Sequence, residues 1–186
     1  MGDKVVIKKG IDLSENEINQ INKIWVSAWS DTDTLNPEKK SEFSKETFFM
    51  FYSQKEIFSV GRLIPVEVEF MKKTYKIEGI ADMVSAVKGM GYGKKVMTAM
   101  CDYLEKTGET GIGFCSNRNS LFYKKCGLKI AKDKLDDFLY KHPDGEITKS
   151  EDEDDDDVVY KKGKDNLIEE ILSHPKEKIL IPREHW

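Results

Sequence analysis

Three glycines fall at alternate positions in Lys88-Gly-Met-Gly-Tyr-Gly-Lys94. A β-like run, Tyr75–Ser85, enters this segment and an amphipathic helical pattern leaves it. The first N–H groups of a helix have no intrahelical acceptor, and their partial positive charge favours an anion. Glycine lets a ligand approach the backbone closely. The junction therefore predicts a site for a phosphate-bearing ligand, built mainly from the amides of Gly89, Met90, Gly91, Tyr92, Gly93 and Lys94, with Val84 and Lys88 at its entry. Two common phosphate loops are excluded by spacing. A dinucleotide fingerprint requires G-x-G-x-x-G, and these glycines follow G-x-G-x-G. A P-loop requires Ser or Thr after its lysine, and Lys94 is followed by Lys95.

The elements that must position this turn are legible on either side. Val5–Lys8 reads as a strand. Ser14-Glu-Asn-Glu17 is a capping box, and Ile18, Ile21, Trp25 and Trp29 then share a helical face. Phe48–Tyr52, Ile57–Leu63 and Val66–Phe70 read as strands, and Lys72-Lys-Thr74 as a hairpin turn into Tyr75–Ser85. Period two along that last strand sets Glu78, Ile80 and Asp82 on one face. The helix after the glycines buries Val96, Met97, Met100, Tyr103 and Leu104 and stops at Gly108. Ile112–Cys115 is a strand, and a short helix runs from Ser116 or Asn117 to Lys125, stopped by Gly127. Leu128–Lys132 and Val158–Lys161 read as closing strands, and Asp165 caps a last helix. Antiparallel strands followed by strand–helix–strand–helix predict an α+β fold, a mixed, mostly antiparallel sheet flanked by helices.

Two segments carry a family resemblance. Lys88-Gly-Met-Gly91-Tyr-Gly93 resembles motif A of the GCN5-related N-acetyltransferases (GNAT), Gln/Arg-x-x-Gly-x-Gly/Ala, with Lys88 in place of Gln or Arg. Phe122-Tyr-Lys-Lys-Cys-Gly-Leu128 is similar to the later motif of that superfamily, with Leu128 in place of Phe or Trp. The resemblance spans Val66 to Ile130 and implies one three-layer α/β/α domain, with acetyl-CoA as cosubstrate and its pyrophosphate on the glycine turn. It also implies Tyr123 as general acid. A phenol of pKa ~10 can protonate a leaving thiolate whose thiol has pKa ~8.5. Lysine at 88 keeps a charge but lacks the planar guanidinium.

A narrower likeness is to aminoglycoside 2'-N-acetyltransferases. Ile77-Glu-Gly-Ile-Ala81, the acidic run before Val158-Val-Tyr160 and the final Trp186 each have counterparts there. The acceptor amine must lose a proton before attack. Glu78 is the preferred base and Asp82 the second. A cationic substrate would be drawn by Asp154, Asp155, Asp156, Asp157 and the Trp186 carboxylate, with Asp31 and Asp33 on the same rim. Other amines (a polyamine, an amino acid, a protein N-terminus) and a non-catalytic acyl-CoA sensor are the alternative readings.

Composition narrows the rest. At 186 residues, 39% hydrophobic and 34% charged, the chain suits one globular domain. The net charge of -4 hides an acidic segment, expected as a loop at 144–157, that carries nine acids and one lysine. Three cysteines and three scattered histidines lack the spacing of a metal site or a disulfide framework. The expected partners are acetyl-CoA and an amine-bearing small molecule, in the cytoplasm. A homodimer is compatible with the sequence. A pI near 5.5 without a basic–aromatic platform argues against nucleic acid, and no apolar run suits a membrane.

Overall fold

A computed structural model describes residues 2–29, 34–132, 134–149 and 157–182. It divides into two units, Met1–Ile64 with Ala81–Met100, and Pro65–Ile80 with Cys101–Trp186. The chain passes between them within two strands and one helix.

The first unit begins with β1 (Lys4–Lys9), a 3-10 turn at Gly10–Asp12 and α1 (Glu15–Ala28). The expected capping box forms: Ser14 Oγ accepts from the Glu17 amide, and the Glu17 carboxylate accepts from the Ser14 amide at 2.8 Å. A 3-10 helix at Pro37–Phe43 leads into β2 (Thr47–Ser53) and then β3 (Glu56–Phe70). β1 pairs antiparallel with β2, and β2 with β3. Ile18, Ile21, Ile24 and Trp25 pack with Phe48, Met50 and Val60 in one apolar cluster. Trp29, expected on that face, is the C-cap residue and stays 39% exposed. The unit closes with the end of β4 (Lys73–Ser85) and the first turns of α2 (Tyr92–Thr107).

Residues 57–63 and 66–70 form one continuous β3 rather than two strands. Pro65 joins them because its fixed φ suits extended chain, and it lies on the exposed side of the strand. The hairpin turn sits one residue earlier than expected, at Met71 and Lys72, both left-handed (φ 49° and 63°) as a tight two-residue turn demands.

In the second unit the strand order is β6-β9-β5-β4-β3-β10-β7-β8, formed by β5 (Gly111–Cys115), β6 (Lys129–Ala131), β7 (Phe138–Lys141), β8 (Ile147–Lys149), β9 (Asp157–Lys161) and β10 (Ile179–Ile181). β5 runs parallel to β4, and β9 antiparallel to β5. The sheet is therefore mixed, and the fold α+β. α2 ends at Gly108 (φ 79°), whose amide bonds to the Leu104 carbonyl. α3 (Asn117–Lys125) ends at the left-handed Gly127, as expected. α4 (Leu167–Ser173) starts where Asp165 accepts from the Leu167 amide at 2.9 Å.

Short strands β7, β8 and β10 were not anticipated. β8 also corrects the acidic loop at 144–157, because residues 147–149 are strand and Asp157 opens β9. All three cysteines are buried free thiols, and burial pushes the Cys101 thiol up to about 11. Among the described residues no helix is long and apolar enough to cross a membrane.

Candidate acetyl-CoA turn and catalytic residues

The glycine segment joins β4 to α2. Gly89 and Gly91 are left-handed, with φ of 82° and 74°. A Cβ at either position would meet nothing within 4 Å. Backbone conformation alone therefore requires glycine there, and open space lies beside the turn. Gly91 accepts the Lys95 amide at 3.2 Å, which starts the helical ladder. The amides of the next residues form the first turn of α2, where a helix has no acceptors of its own to offer.

The side chains around the turn divide by role. Lys88, Met90 and Lys94 are exposed. The Tyr92 ring instead stacks on Phe51, with centroids 4.6 Å apart, and its amide is what it can offer a ligand. Lys95 lies over the same Phe51 ring at 4.5 Å, so its charge is held beside the first helical turn. Lys95 escaped the sequence reading because it stood only as the residue that spoils a P-loop. Its signal was a cation three residues from aromatic Tyr92.

The strand before the turn is fastened to β3 at several points. Ser59 Oγ donates to the Val84 carbonyl at 2.8 Å and meets Ser85 Oγ at 2.8 Å. The Ala86 amide donates to the Phe58 carbonyl at 2.9 Å. Asp82 is left-handed (φ 48°) inside β4, and this breaks the strict alternation expected to set it on one face with Glu78. Its carboxylate accepts from Arg62 Nε, while the same guanidinium donates to Glu46 at 2.7 Å. Asp82 is thus an ion-pair partner first. Arg62 and Glu46 were missed, although an arginine amid Val60, Leu63 and Ile64 always needs a buried or half-buried acceptor.

In the second unit Glu78 is buried, opposite Gly111, and its amide donates to the Thr110 carbonyl at 2.9 Å. Tyr123 sits half-buried on α3, its ring edge-on to Phe122 at 5.2 Å. Asp157 is 2% exposed and accepts from Ser120 Oγ at 2.5 Å. That burial corrects its expected place on a substrate-facing rim: it ties β9 to α3. Asp31, Asp33, Asp154, Asp155, Asp156 and Trp186 lie outside the described residues. Among the described residues no group of three or more His, Cys, Asp or Glu could hold a metal ion.

Residues 11–131 match the acetyltransferase (GNAT) domain family, about two thirds of the chain. The chain belongs to the GNAT acetyltransferase family. Solved structures agree at the level of fold. An acyl-CoA N-acyltransferase from Pseudomonas aeruginosa aligns with a TM-score of 0.58 at 12% identity, covering 85% of this chain and 99% of that one. An aminoglycoside acetyltransferase from an uncultured soil metagenomic sample aligns at 0.53 and 15% identity, over 67% and 87%. A GCN5-related N-acetyltransferase from Kribbella flavida aligns at 0.51 and 13% identity, over 69% of this chain but only 34% of its own length. The chain thus spans about a third of that GNAT protein. No curated protein is significantly similar to the chain.

Proposed function

We propose that this GNAT chain moves an acetyl group from acetyl-CoA to a primary amine of a small cationic molecule. The observation that carries the reading is the glycine turn at the start of α2, left-handed at Gly89 and Gly91 and open on the side where a Cβ would stand. Amides of Gly89 to Lys94 would hold the pyrophosphate, with Lys88, Lys94 and Lys95 adding charge. The neutral amine attacks the thioester carbonyl carbon, the tetrahedral intermediate collapses, and the C–S bond breaks. Tyr123 gives its proton to the departing thiolate, and Glu78 accepts the proton shed by the amine. Asp82 is the weaker base, being already engaged by Arg62.

An aminoglycoside is the substrate class we favour. The Ile77-Glu-Gly-Ile-Ala81 strand and the acids Asp154, Asp155 and Asp156 support it, as does the fold likeness to an aminoglycoside acetyltransferase. The test has two arms. Calorimetry should detect acetyl-CoA binding, and release of free CoA thiol should rise with one class in a panel of aminoglycosides, polyamines, amino acids and peptides. Absence of binding at millimolar acetyl-CoA would sink the reading. Binding without thiol release for any amine would favour an acyl-CoA sensor.

A further inference from the structure

We infer that Arg62 is a positioning residue for the acetyl-CoA turn, acting through the left-handed backbone of Asp82. The inference rests on the proposed acetyl-CoA reading and deepens it.

Asp82 is one of few non-glycine residues with positive φ among those described, and the others, Gln54, Lys55, Met71 and Lys72, all lie in hairpin turns. Asp82 alone lies inside a strand, two residues before Val84. An L-residue in this region is strained and persists only when its surroundings hold it. Arg62 supplies the hold. On β3 it lies directly opposite Phe48 of β2, so Glu46, two residues back, is its diagonal neighbour on the same face. From there its guanidinium reaches Glu46 on one side and Asp82 on the other. The Arg62 side chain is 17% exposed, Glu46 11% and Asp82 25%. Charge-assisted bonds so shielded from water are stronger and more directional than surface pairs.

The fourth member is Trp25, whose ring lies under the guanidinium at 4.9 Å. Trp25 is 2% exposed and belongs to the apolar cluster of the first unit. Arg62 is therefore fixed by the core and by Glu46, and transmits that fixed position to Asp82. Beyond Asp82 the chain is clamped again, by Ser59 to Val84 and by Phe58 to Ala86. The left-handed residue sets the direction in which the strand enters these clamps, and so the placement of Gly89 to Lys94.

The experiment compares acetyl-CoA binding by calorimetry in the full chain and in Arg62→Met, Arg62→Lys, Asp82→Ala, Asp82→Gly and the double variant Arg62→Met/Asp82→Gly. Arg62→Met and Asp82→Ala should each weaken binding about tenfold. Asp82→Gly, free to stay left-handed, should lie within about threefold of the parent. Adding Arg62→Met to Asp82→Gly should change little, since the residue it acts on no longer needs holding. The amine KM should not move in Arg62→Met or Arg62→Lys. Equal affinity for Arg62→Met and the parent overturns the inference, as does Asp82→Gly binding as poorly as Asp82→Ala. If Arg62→Met does not fold, Arg62→Lys decides: it keeps the charge but lacks the planar fork that serves both carboxylates, so weakened binding supports the inference and parent affinity overturns it. A parent chain that does not bind acetyl-CoA overturns the proposed function, and this inference with it.

Discussion

The Tyr52 hydroxyl on β2 donates to the Glu17 carboxylate in the first turn of α1 over 2.6 Å. Lys8 of β1 donates to the same carboxylate at 2.9 Å, so one acidic side chain joins two strands to a helix cap. Burial raises the Glu17 pKa, but the hydrogen bonds from Tyr52, Ser14 and Lys8 outweigh it and hold the group at about 2. Burial and the facing carboxylate push the Tyr52 phenol well above its usual range.

Stability should therefore depend on acid through Glu17. Its folded pKa lies below the unfolded value, so its contribution is complete above about pH 4.5 and fades as pH falls toward 2. Glu17→Gln should cost on the order of 2–3 kcal/mol at pH 7. Thermal melts of both proteins from pH 7 to pH 2.5 should converge at the acid end. Parallel curves would remove Glu17 from the acid response.

Gly91→Ala should weaken acetyl-CoA binding roughly tenfold, because a left-handed alanine costs about 1–2 kcal/mol and the turn relaxes. Nothing crowds the new methyl group, so the fold should survive. Gly91→Asn should bind better than Gly91→Ala, since asparagine tolerates the left-handed region. The reverse order in calorimetry would mean that backbone conformation is not what the glycine supplies.

Both glycine positions were visible in the sequence, since alternate glycines before a helical stripe have few uses. So were the caps at Ser14, Gly108 and Gly127, whose partners lie within one turn. The hairpin β7–β8 and strand β10 were not. They are three or four residues long, too short for period two to register, and they exist through pairing such as Ile179 with both Phe70 and Phe138. The Arg62–Asp82 pair was hidden for the same reason: its partners are 20 residues apart, and only the sheet register brings them together.

Tyr123→Phe should lower kcat about 10²-fold while acetyl-CoA affinity stays as it was. Single-turnover thiol release separates this from slow product release. Undiminished turnover with an authentic amine would exclude the phenol as the proton donor.

Ser120→Ala should lower stability by about 1–3 kcal/mol, because it strips a hydroxyl donor from the buried Asp157 carboxylate. Acetyl-CoA affinity should not change. Neutralising Asp154, Asp155 and Asp156 should act oppositely, raising the amine KM with little effect on melting. If both variants change only melting, the acidic run has no part in choosing the substrate.

The burial of Cys101, Cys115 and Cys126 has a practical side. With its pKa near 11, Cys101 is almost entirely uncharged at neutral pH and a poor nucleophile. The other two are 3% and 6% exposed. A disulfide dye added to the native protein should therefore colour slowly, and the same dye added after unfolding should count three thiols per chain. Every fast equivalent seen during turnover then belongs to released CoA, and the slow rise that follows is a clock for local opening of the fold.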